Sequence, residues 1–251
     1  MNVQPAEFAK ITCALMVANV LSVEENMGRL NIKAFIKAFI VIGIPMVLIL
    51  LQPDLGSVLV FTALIFALFR EGLSILFFLL PAFQHLPKHQ KERIMVLFEG
   101  EEKYSETAGY NLLLSKMAIG SGEFSGRGYN SGPITDGGFV PEQHTDYIFS
   151  AVGEEFGFMG TSLLIILYMG LILRIYYLAN GQRTIFARYY GNAVASILLL
   201  HVAMNIGMVS GIFPTVGIPL PFFSYGGSSL WSFSILIFIF LKLNYHDKQS
   251  I

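Results

Sequence analysis

Residues 146–177, DYIFSAVGEEFGFMGTSLLIILYMGLILRIYY, decide the fold class of this chain. After Glu155 the stretch is largely apolar and carries no charge apart from Arg174, and an apolar run of about 18 or more residues can cross a bilayer as a helix. Three carboxylates, Asp146, Glu154 and Glu155, precede the apolar part. Because a charge inside a membrane costs roughly 2.5–3.5 kcal/mol on insertion scales, this cluster indicates a functional site at a membrane surface.

The composition extends this interpretation to the whole chain. Of its 251 residues, 54% are hydrophobic and 13% are charged, whereas about 25% of the residues of a soluble domain are charged. No Asp, Glu, Lys or Arg occurs over 189–241. We therefore predict an all-α polytopic membrane protein. The single cysteine, Cys13, provides no disulfide framework, and its apolar surroundings favour simple packing.

Apolar segments predict about seven transmembrane helices. Their approximate bounds are 5–20, 34–51, 55–69, 73–83, 146–177, 190–211 and 226–243. The first four segments occupy 1–83, a long polar loop follows over 84–145, and the last three helices with the tail make up 146–251. We expect all of them to form one integral membrane domain.

The basic residues predict the orientation of these helices. Short loops rich in Lys and Arg stay in the cytoplasm, and those of this chain alternate consistently if Met1 lies outside and the tail inside. The loop 84–145 and the Pro-rich loop 213–225 are then extracytoplasmic. Because an outer amino terminus here lacks a basic signal sequence, we expect one or more spans to precede this chain.

The carboxylates near the fifth helix each have a structural alternative. A helix that begins at Asp146 places Glu154 and Glu155 roughly 12–14 Å farther along its axis. Asp146 suits either a catalytic carboxylate or an N-cap of that helix. Glu154 suits either a cavity joined to Asp146 or a buried pair with Glu155, bonded to other helices. The same helix would carry one face of small residues, namely Ser150, Gly153, Gly157 and Gly160.

Three more ionisable residues map to the outer half of the membrane in this topology: Glu7, Lys10 and Asp54. Glu7 and Lys10 are three residues apart on one helical face, so they also suit a local ion pair. Asp54 equally suits a cap of the third helix. The placement of all three in the same leaflet as Asp146 favours a shared polar cavity.

Polar segments supply further candidates for the lining of that cavity, namely Lys116, Arg127 and Ser228. Arg127 belongs to the Gly-rich stretch 120–128, which suits an anion-binding nest or an ordinary flexible loop. The glycine spacing does not match a nucleotide motif. Ser228 lies in SYGGSS (224–229), which also suits a turn with a helix cap. Asn205, inside the sixth helix, suits hydrogen bonding between helices.

Five sequence blocks together resemble the SEDS family, the RodA, FtsW and SpoVE proteins of shape, elongation, division and sporulation. The blocks are QPAEFAK (4–10), QPDLGS (52–57), SKMAIGSG (115–122), PEQHTDYIFS (141–150) with GEEFG (153–157), and NIGM (205–208) with PLPFFSYGGSS (219–229). They follow the family's order along nearly the whole chain, and SKMAIGSG is most similar to the RodA branch. The resemblance implies a GT-C-like arrangement of ten spans, of which the first three would be missing. Glu123 stands where the family commonly has glycine.

The resemblance implies a peptidoglycan glycosyltransferase that polymerises lipid II at the outer face of the bacterial cytoplasmic (inner) membrane, in elongation or division. Asp146 matches the family's catalytic carboxylate, and Glu7, Lys10 and Asp54 match residues that line its cavity. The implied partners are lipid II, a class B penicillin-binding protein and the membrane, with no nucleic acid. A divalent cation, Mg²⁺ or Mn²⁺, held by Asp146 is the candidate cofactor.

Two other hypotheses stay open at this point. A flippase of lipid-linked precursors would also use intramembrane charges and helices interrupted by Gly and Pro. A non-catalytic scaffold would keep partner-binding helices without turnover, and the expected missing spans favour it.

Overall fold

The computed structural model describes residues 4–26, 32–52, 54–70, 95–96 and 108–249, and the regular elements in these ranges are helices. They are α1 (Pro5–Asn26), α2 (Ile32–Leu50), α3 (Leu55–Arg70), α4 (Ala108–Ser121), α5 (Ile148–Asn180), α6 (Ile185–Val209) and α7 (Gly227–Gln249). The prediction of an all-α chain is confirmed. The fourth predicted segment, 73–83, lies outside the described residues.

Helices α1, α2, α5, α6 and α7 each contain a stretch that is long and apolar enough to cross a membrane. Helix α3 is also apolar, but with 16 residues it is shorter than these five. These lengths agree with a multi-pass membrane protein, because a helix needs about 20 residues to cross the hydrocarbon core.

The chain divides into two compact units. The first unit comprises Met1–Leu80, Leu171–Leu200 and Gly227–Ile251, and the second comprises Pro81–Gly170 and His201–Gly226. In the first unit α1 packs against α2, α3 and α7. Four alanines of α1 and α2 are fully buried, and side chains this small let helix backbones approach closely. They are Ala14, Ala18, Ala34 and Ala38.

Helix α1 continues six residues beyond its predicted end at residue 20 because polar residues near its end find partners. The Arg188 guanidinium donates two hydrogen bonds to the Glu25 carboxylate, at 2.7 and 2.9 Å, and the Tyr189 hydroxyl donates a third, at 2.5 Å. Lys37 forms an ion pair with Glu24. These bonds tie the end of α1 to the starts of α6 and α2.

In the second unit, the polar loop predicted over 84–145 contains a helix, α4, that the sequence pattern did not predict. One face of this helix is buried, with Leu112, Ser115 and Ala118 at helical spacing. The Ser115 hydroxyl donates to the carbonyl oxygen of Val209, at 3.1 Å. Because polar residues flank this short apolar run, the sequence pattern did not predict the helix.

Helix α5 is broken at Gly157, whose φ of 62° and ψ of −157° are not helical. The amides of Phe158 and Met159 therefore donate to the carbonyls of Glu123 and Phe124, at 2.9 and 3.1 Å, instead of to their own helix. The carbonyls released by the break, those of Glu154 and Glu155, accept the amides of Arg127 and Gly128, each at 3.0 Å. The loop 122–128 thus replaces one turn of helical hydrogen bonding.

This insertion gives the Gly-rich stretch 120–128 a structural role. A Cβ at Gly126 would clash with the backbone of Glu155 and Phe156, so glycine permits the close approach of two backbones. Because the amides of Gly126, Arg127 and Gly128 already donate to carbonyls, the structure favours the alternative of an ordinary loop over an anion-binding nest. The predicted small-residue face of α5 is interrupted at Gly157. Its glycines still permit close packing, because a Cβ at Gly153 would crowd Ile119 and one at Gly157 would clash with Gly126.

Candidate active site

Asp146 lies in a turn that precedes α5, two residues before the first helical residue. The turn is organised by Glu142, whose carbonyl accepts the amides of Thr145, Asp146 and Tyr147 at 3.1, 3.1 and 3.2 Å. Glu142 has a φ of 51°, a left-handed conformation that is uncommon for residues other than glycine. The expectation that Asp146 begins the helix is therefore wrong, and the side chain is presented from a turn.

A buried amide holds this turn in place. The Asn205 side chain is inaccessible to solvent, and its Nδ2 donates to the carbonyl oxygens of both Asp146 (2.9 Å) and Ile218 (2.7 Å). Asn205 was expected to link helices. It instead links the Asp146 turn to the Pro-rich loop 213–225, because both loops fold over α6.

Two further hydrogen bonds join the same loops. The Ser224 hydroxyl donates to the carbonyl of Thr145 at 2.6 Å, and the amide of Tyr225 donates to the carbonyl of His144 at 2.7 Å. The proline-rich loop lacks several amide donors, so its carbonyls need side-chain partners. Two buried side chains supply them, since the Tyr168 hydroxyl donates to Pro221 and the His201 ring nitrogen Nδ1 contacts Pro219.

A pocket of about 130 Å³ opens beside the half-buried Asp146. Its lining consists of Asn111, Pro141, Glu142, Asp146, Tyr147, Thr215 and Gly217. One water occupies about 30 Å³ in the liquid, so the pocket has room for a polar edge of a substrate. Its lining includes two carboxylic acids, an amide and two hydroxyl-bearing residues, which suits proton transfer from a bound hydroxyl group.

The sequence did not single out most of this lining. Glu142 belongs to the block PEQHTDYIFS (141–150) and could have been chosen from it. Thr215 lies in the Pro-rich loop 213–225. Asn111 carried no signal, because its helix α4 was taken for a polar loop. The buried apolar cluster beneath the site contains Val140, Tyr147, Phe149, Met208 and Val209.

The pocket suits a divalent cation only if a bound substrate supplies further metal ligands. Within the described part of the chain, no three His, Cys, Asp or Glu residues are grouped to hold a metal. Glu142 and Asp146 do line one pocket, and Mg²⁺ is commonly held by one or two carboxylates plus substrate phosphates. The residues present therefore fit a hard cation shared with a phosphorylated substrate.

Glu7, Lys10 and Asp54 lie in the first unit. Glu7 and Lys10 form an ion pair at 2.8 Å, with side chains only 5% and 3% exposed. The Lys10 ammonium lies 4.5 Å from the centroid of the Phe233 ring. Asp54 caps α3, since its carboxylate accepts the amide and the hydroxyl of Ser57 at 3.0 and 2.7 Å. The ion pair and the helix cap, which the sequence suggested as local alternatives, are thus both present. That these residues share one cavity with Asp146 stays a prediction.

Glu154 lies in the second unit and is fully buried. One carboxylate oxygen accepts the Ile134 amide (3.0 Å) and the Ser121 hydroxyl (3.2 Å). The other accepts the amide and the hydroxyl of Thr135, at 2.8 and 2.6 Å. The carboxylate therefore holds the loop that leads to the Asp146 turn, and Glu154 does not line the pocket described above.

The remaining predicted site residues occupy separate positions. Arg127 is exposed, and its Nε donates to the carbonyl of Ser121 at 2.9 Å. Lys116 is exposed on α4, with its side chain over Gly211. Ser228 is half-buried in the first turn of α7, in the first unit. A role in lining the cavity stays a prediction for all three.

Comparison with known proteins gives consistent matches. The family model described as cell cycle protein, FtsW/RodA/SpoVE, matches residues 1–249. The peptidoglycan glycosyltransferase MrdB of Escherichia coli K12 is 38% identical over 263 residues, which cover 98% of this chain and 69% of that protein.

Two solved structures have a similar fold. One is a peptidoglycan synthase complex that coordinates polymerization and crosslinking. It has a TM-score of 0.79 at 27% identity, and the match covers 99% of this chain and 72% of the solved chain. The rod shape determining protein RodA of Thermus thermophilus has a TM-score of 0.62 at 28% identity, covering 98% of this chain and 66% of that one.

Proposed function

The chain belongs to the FtsW/RodA/SpoVE family of cell cycle proteins, and on this premise we propose that it polymerises lipid II into peptidoglycan glycan strands. The resemblance to the SEDS family is confirmed. The enzyme class, peptidoglycan glycosyltransferase, is that of a relative with 38% identity over 98% of this chain. Lipid II as the substrate and the outer face of the bacterial cytoplasmic membrane as the location are our proposals.

The observation that carries the mechanism is the Asp146 carboxylate in the wall of a polar pocket. In the proposed reaction, Asp146 accepts the proton of the acceptor sugar 4-hydroxyl. The hydroxyl oxygen then forms a bond to the anomeric carbon of the donor, and the bond from that carbon to the pyrophosphate oxygen breaks with inversion. General base catalysis by a positioned side chain typically contributes about 10²–10⁴-fold.

The leaving group is undecaprenyl pyrophosphate, which keeps its own charge and needs cations more than an acid. Lys10 and Arg127 are the candidate protein cations. A divalent cation bound by Asp146 and Glu142 would supply charge neutralisation for the pyrophosphate. In this proposal, Asn111 and Thr215, in the same pocket wall, orient sugar hydroxyls.

We also propose that the protein works beside a class B penicillin-binding protein. The support is the likeness to a peptidoglycan synthase complex that coordinates polymerisation with crosslinking. A glycan strand must be made before it can be crosslinked, so a transpeptidase in the same membrane would take up the product directly.

The test is glycan polymerisation from lipid II in liposomes by purified wild-type and Asp146→Asn protein. We expect Asp146→Asn to lose at least about a hundredfold in rate. The matched control is Asp136→Asn, an exposed aspartate of the same unit that does not line the pocket, and it should keep near wild-type turnover. Polymerisation by Asp146→Asn at the control rate would refute the role of Asp146, and flipping of lipid II without polymer would favour a transporter.

A further inference from the structure

Gly217 lies directly beside the side chain of Asp146. A Cβ added at this glycine would lie 2.8 Å from Asp146 Oδ2 and 3.6 Å from its Cγ. The first distance is shorter than a carbon and an oxygen tolerate without movement. A residue with any side chain at position 217 would therefore share its space with the carboxylate.

The turn that carries Asp146 cannot simply move away from such a side chain. Asn205 binds the carbonyls of Asp146 and Ile218 with one amide group, and so it fixes the two segments to each other. Ser224 adds a bond between the same two loops. Relief of a clash by separating the loops would break these buried hydrogen bonds, so the carboxylate itself would have to turn.

We propose that Gly217 is a positioning residue: its missing side chain, together with the Asn205 bridge, sets where the Asp146 carboxylate stands in the pocket. Both Gly217 and Asp146 line that pocket. The loss of catalytic rate expected for a side chain at position 217 rests on the proposed function. The loss of stability expected for it rests on the geometry alone. The two losses are measured separately.

The chain offers a matched control for this glycine. Gly217 and Gly138 both have a positive φ, of 67° and 70°. A Cβ at Gly138 would meet no atom within 4 Å. The substitutions Gly217→Ala and Gly138→Ala therefore both place alanine at a positive φ, and they differ in whether the added methyl group meets Asp146.

The first measurement is polymerisation kinetics with lipid II in liposomes. Misplacement of a reacting group by about 1 Å can cost up to about a hundredfold in rate, so we expect Gly217→Ala to lower kcat by at least about tenfold, with the KM for lipid II within about twofold. Gly138→Ala should keep kcat within about twofold. Equal kcat values for the two variants, or a loss of Gly217→Ala confined to KM, would overturn the proposal.

The second measurement needs no activity, so it separates a failure of this proposal from a failure of the proposed function. Thermal unfolding in detergent is compared for Gly217→Ala and Gly138→Ala, in the wild-type chain and in an Asp146→Ala chain. We expect Gly217→Ala to lower Tm by roughly 2–4 °C more than Gly138→Ala in the wild-type chain. The difference should vanish in the Asp146→Ala chain, because the clashing carboxylate is gone.

The same comparison covers a variant that does not fold. If Gly217→Ala alone is unfolded, a folded Gly217→Ala/Asp146→Ala double variant supports the proposal. An equal Tm loss in both backgrounds, or unfolding of both variants, would overturn it. A wild-type protein that makes no polymer would refute the proposed function and leave this stability test to decide the positioning role.

Discussion

Replacement of Glu154 by glutamine, Glu154→Gln, is expected to loosen the loop that leads to the Asp146 turn. The buried carboxylate accepts a backbone amide on each oxygen, from Ile134 at 3.0 Å and from Thr135 at 2.8 Å. Glutamine keeps the shape but replaces one oxygen by an NH₂ group. In either orientation of the new amide, its NH₂ group faces the backbone N–H of Ile134 or of Thr135, and that N–H loses its acceptor.

The size of the effect follows from this geometry. The hydroxyls of Ser121 and Thr135 can rotate and accept a bond from the new NH₂ group, so one backbone bond is lost outright. An unsatisfied buried donor costs about 1–3 kcal/mol, and bonds to a neutral acceptor are roughly half as strong as those to a carboxylate. We expect a loss of about 2–4 kcal/mol in the free energy of unfolding, or roughly 5–15 °C in Tm for a chain of this size.

The assay is thermal unfolding in detergent, combined with hydrogen exchange at the amides of Ile134 and Thr135. The control is Glu123→Gln, which makes the same change of charge on an exposed side chain of the same unit. Only Glu154→Gln should lower Tm strongly and speed exchange at the two amides. A Tm within about 1 °C of the control, with exchange unchanged, would refute the assignment of Glu154 as the clamp of this loop.

Four further substitutions test other parts of the fold by thermal unfolding. Gly157→Ala should destabilise strongly, because a Cβ there meets backbone atoms of the inserted loop at a positive φ of 62°, whereas Gly43→Ala, in open space within α2, should gain about 0.5–1 kcal/mol. Shifts of the same sign would contradict this. Arg188→Ala should lose roughly 1 kcal/mol, because it removes the Nη2 group that donates to both oxygens of the Glu25 carboxylate; an unchanged Tm would argue against that ion pair. Asp54→Ala should cost about 1 kcal/mol as the loss of a helix cap, and a neutral result would mean that the cap is dispensable.

Local patterns were predictable from the sequence. The membrane-crossing helices follow from apolar runs whose length alone meets the bilayer requirement. The ion pair of Glu7 with Lys10 and the cap by Asp54 join residues three apart, so helical geometry was sufficient to suggest both. The family followed from short blocks of residues in a fixed order, and the match over 1–249 confirms it.

The candidate site was predictable only as one residue. Asp146 could be chosen from its motif, but its neighbours in the pocket, such as Asn111, Thr215 and Gly217, are far away in sequence. The start of α5 was misplaced because residues 141–147 form turns around the Glu142 carbonyl, with Glu142 at a φ of 51°. This turn conformation leaves no periodic pattern in the sequence.

The sequence by itself therefore determined that this chain crosses a membrane, which family it belongs to and which carboxylate to examine, because hydrophobic length and motif order are properties of contiguous residues. Tertiary structure alone decided that α5 breaks at Gly157, that a Gly-rich loop repairs the break, and that Asn205 and Gly217 surround Asp146. The physical reason is that each of these features depends on a backbone group finding its hydrogen-bond partner, or its free space, in a distant segment of the chain.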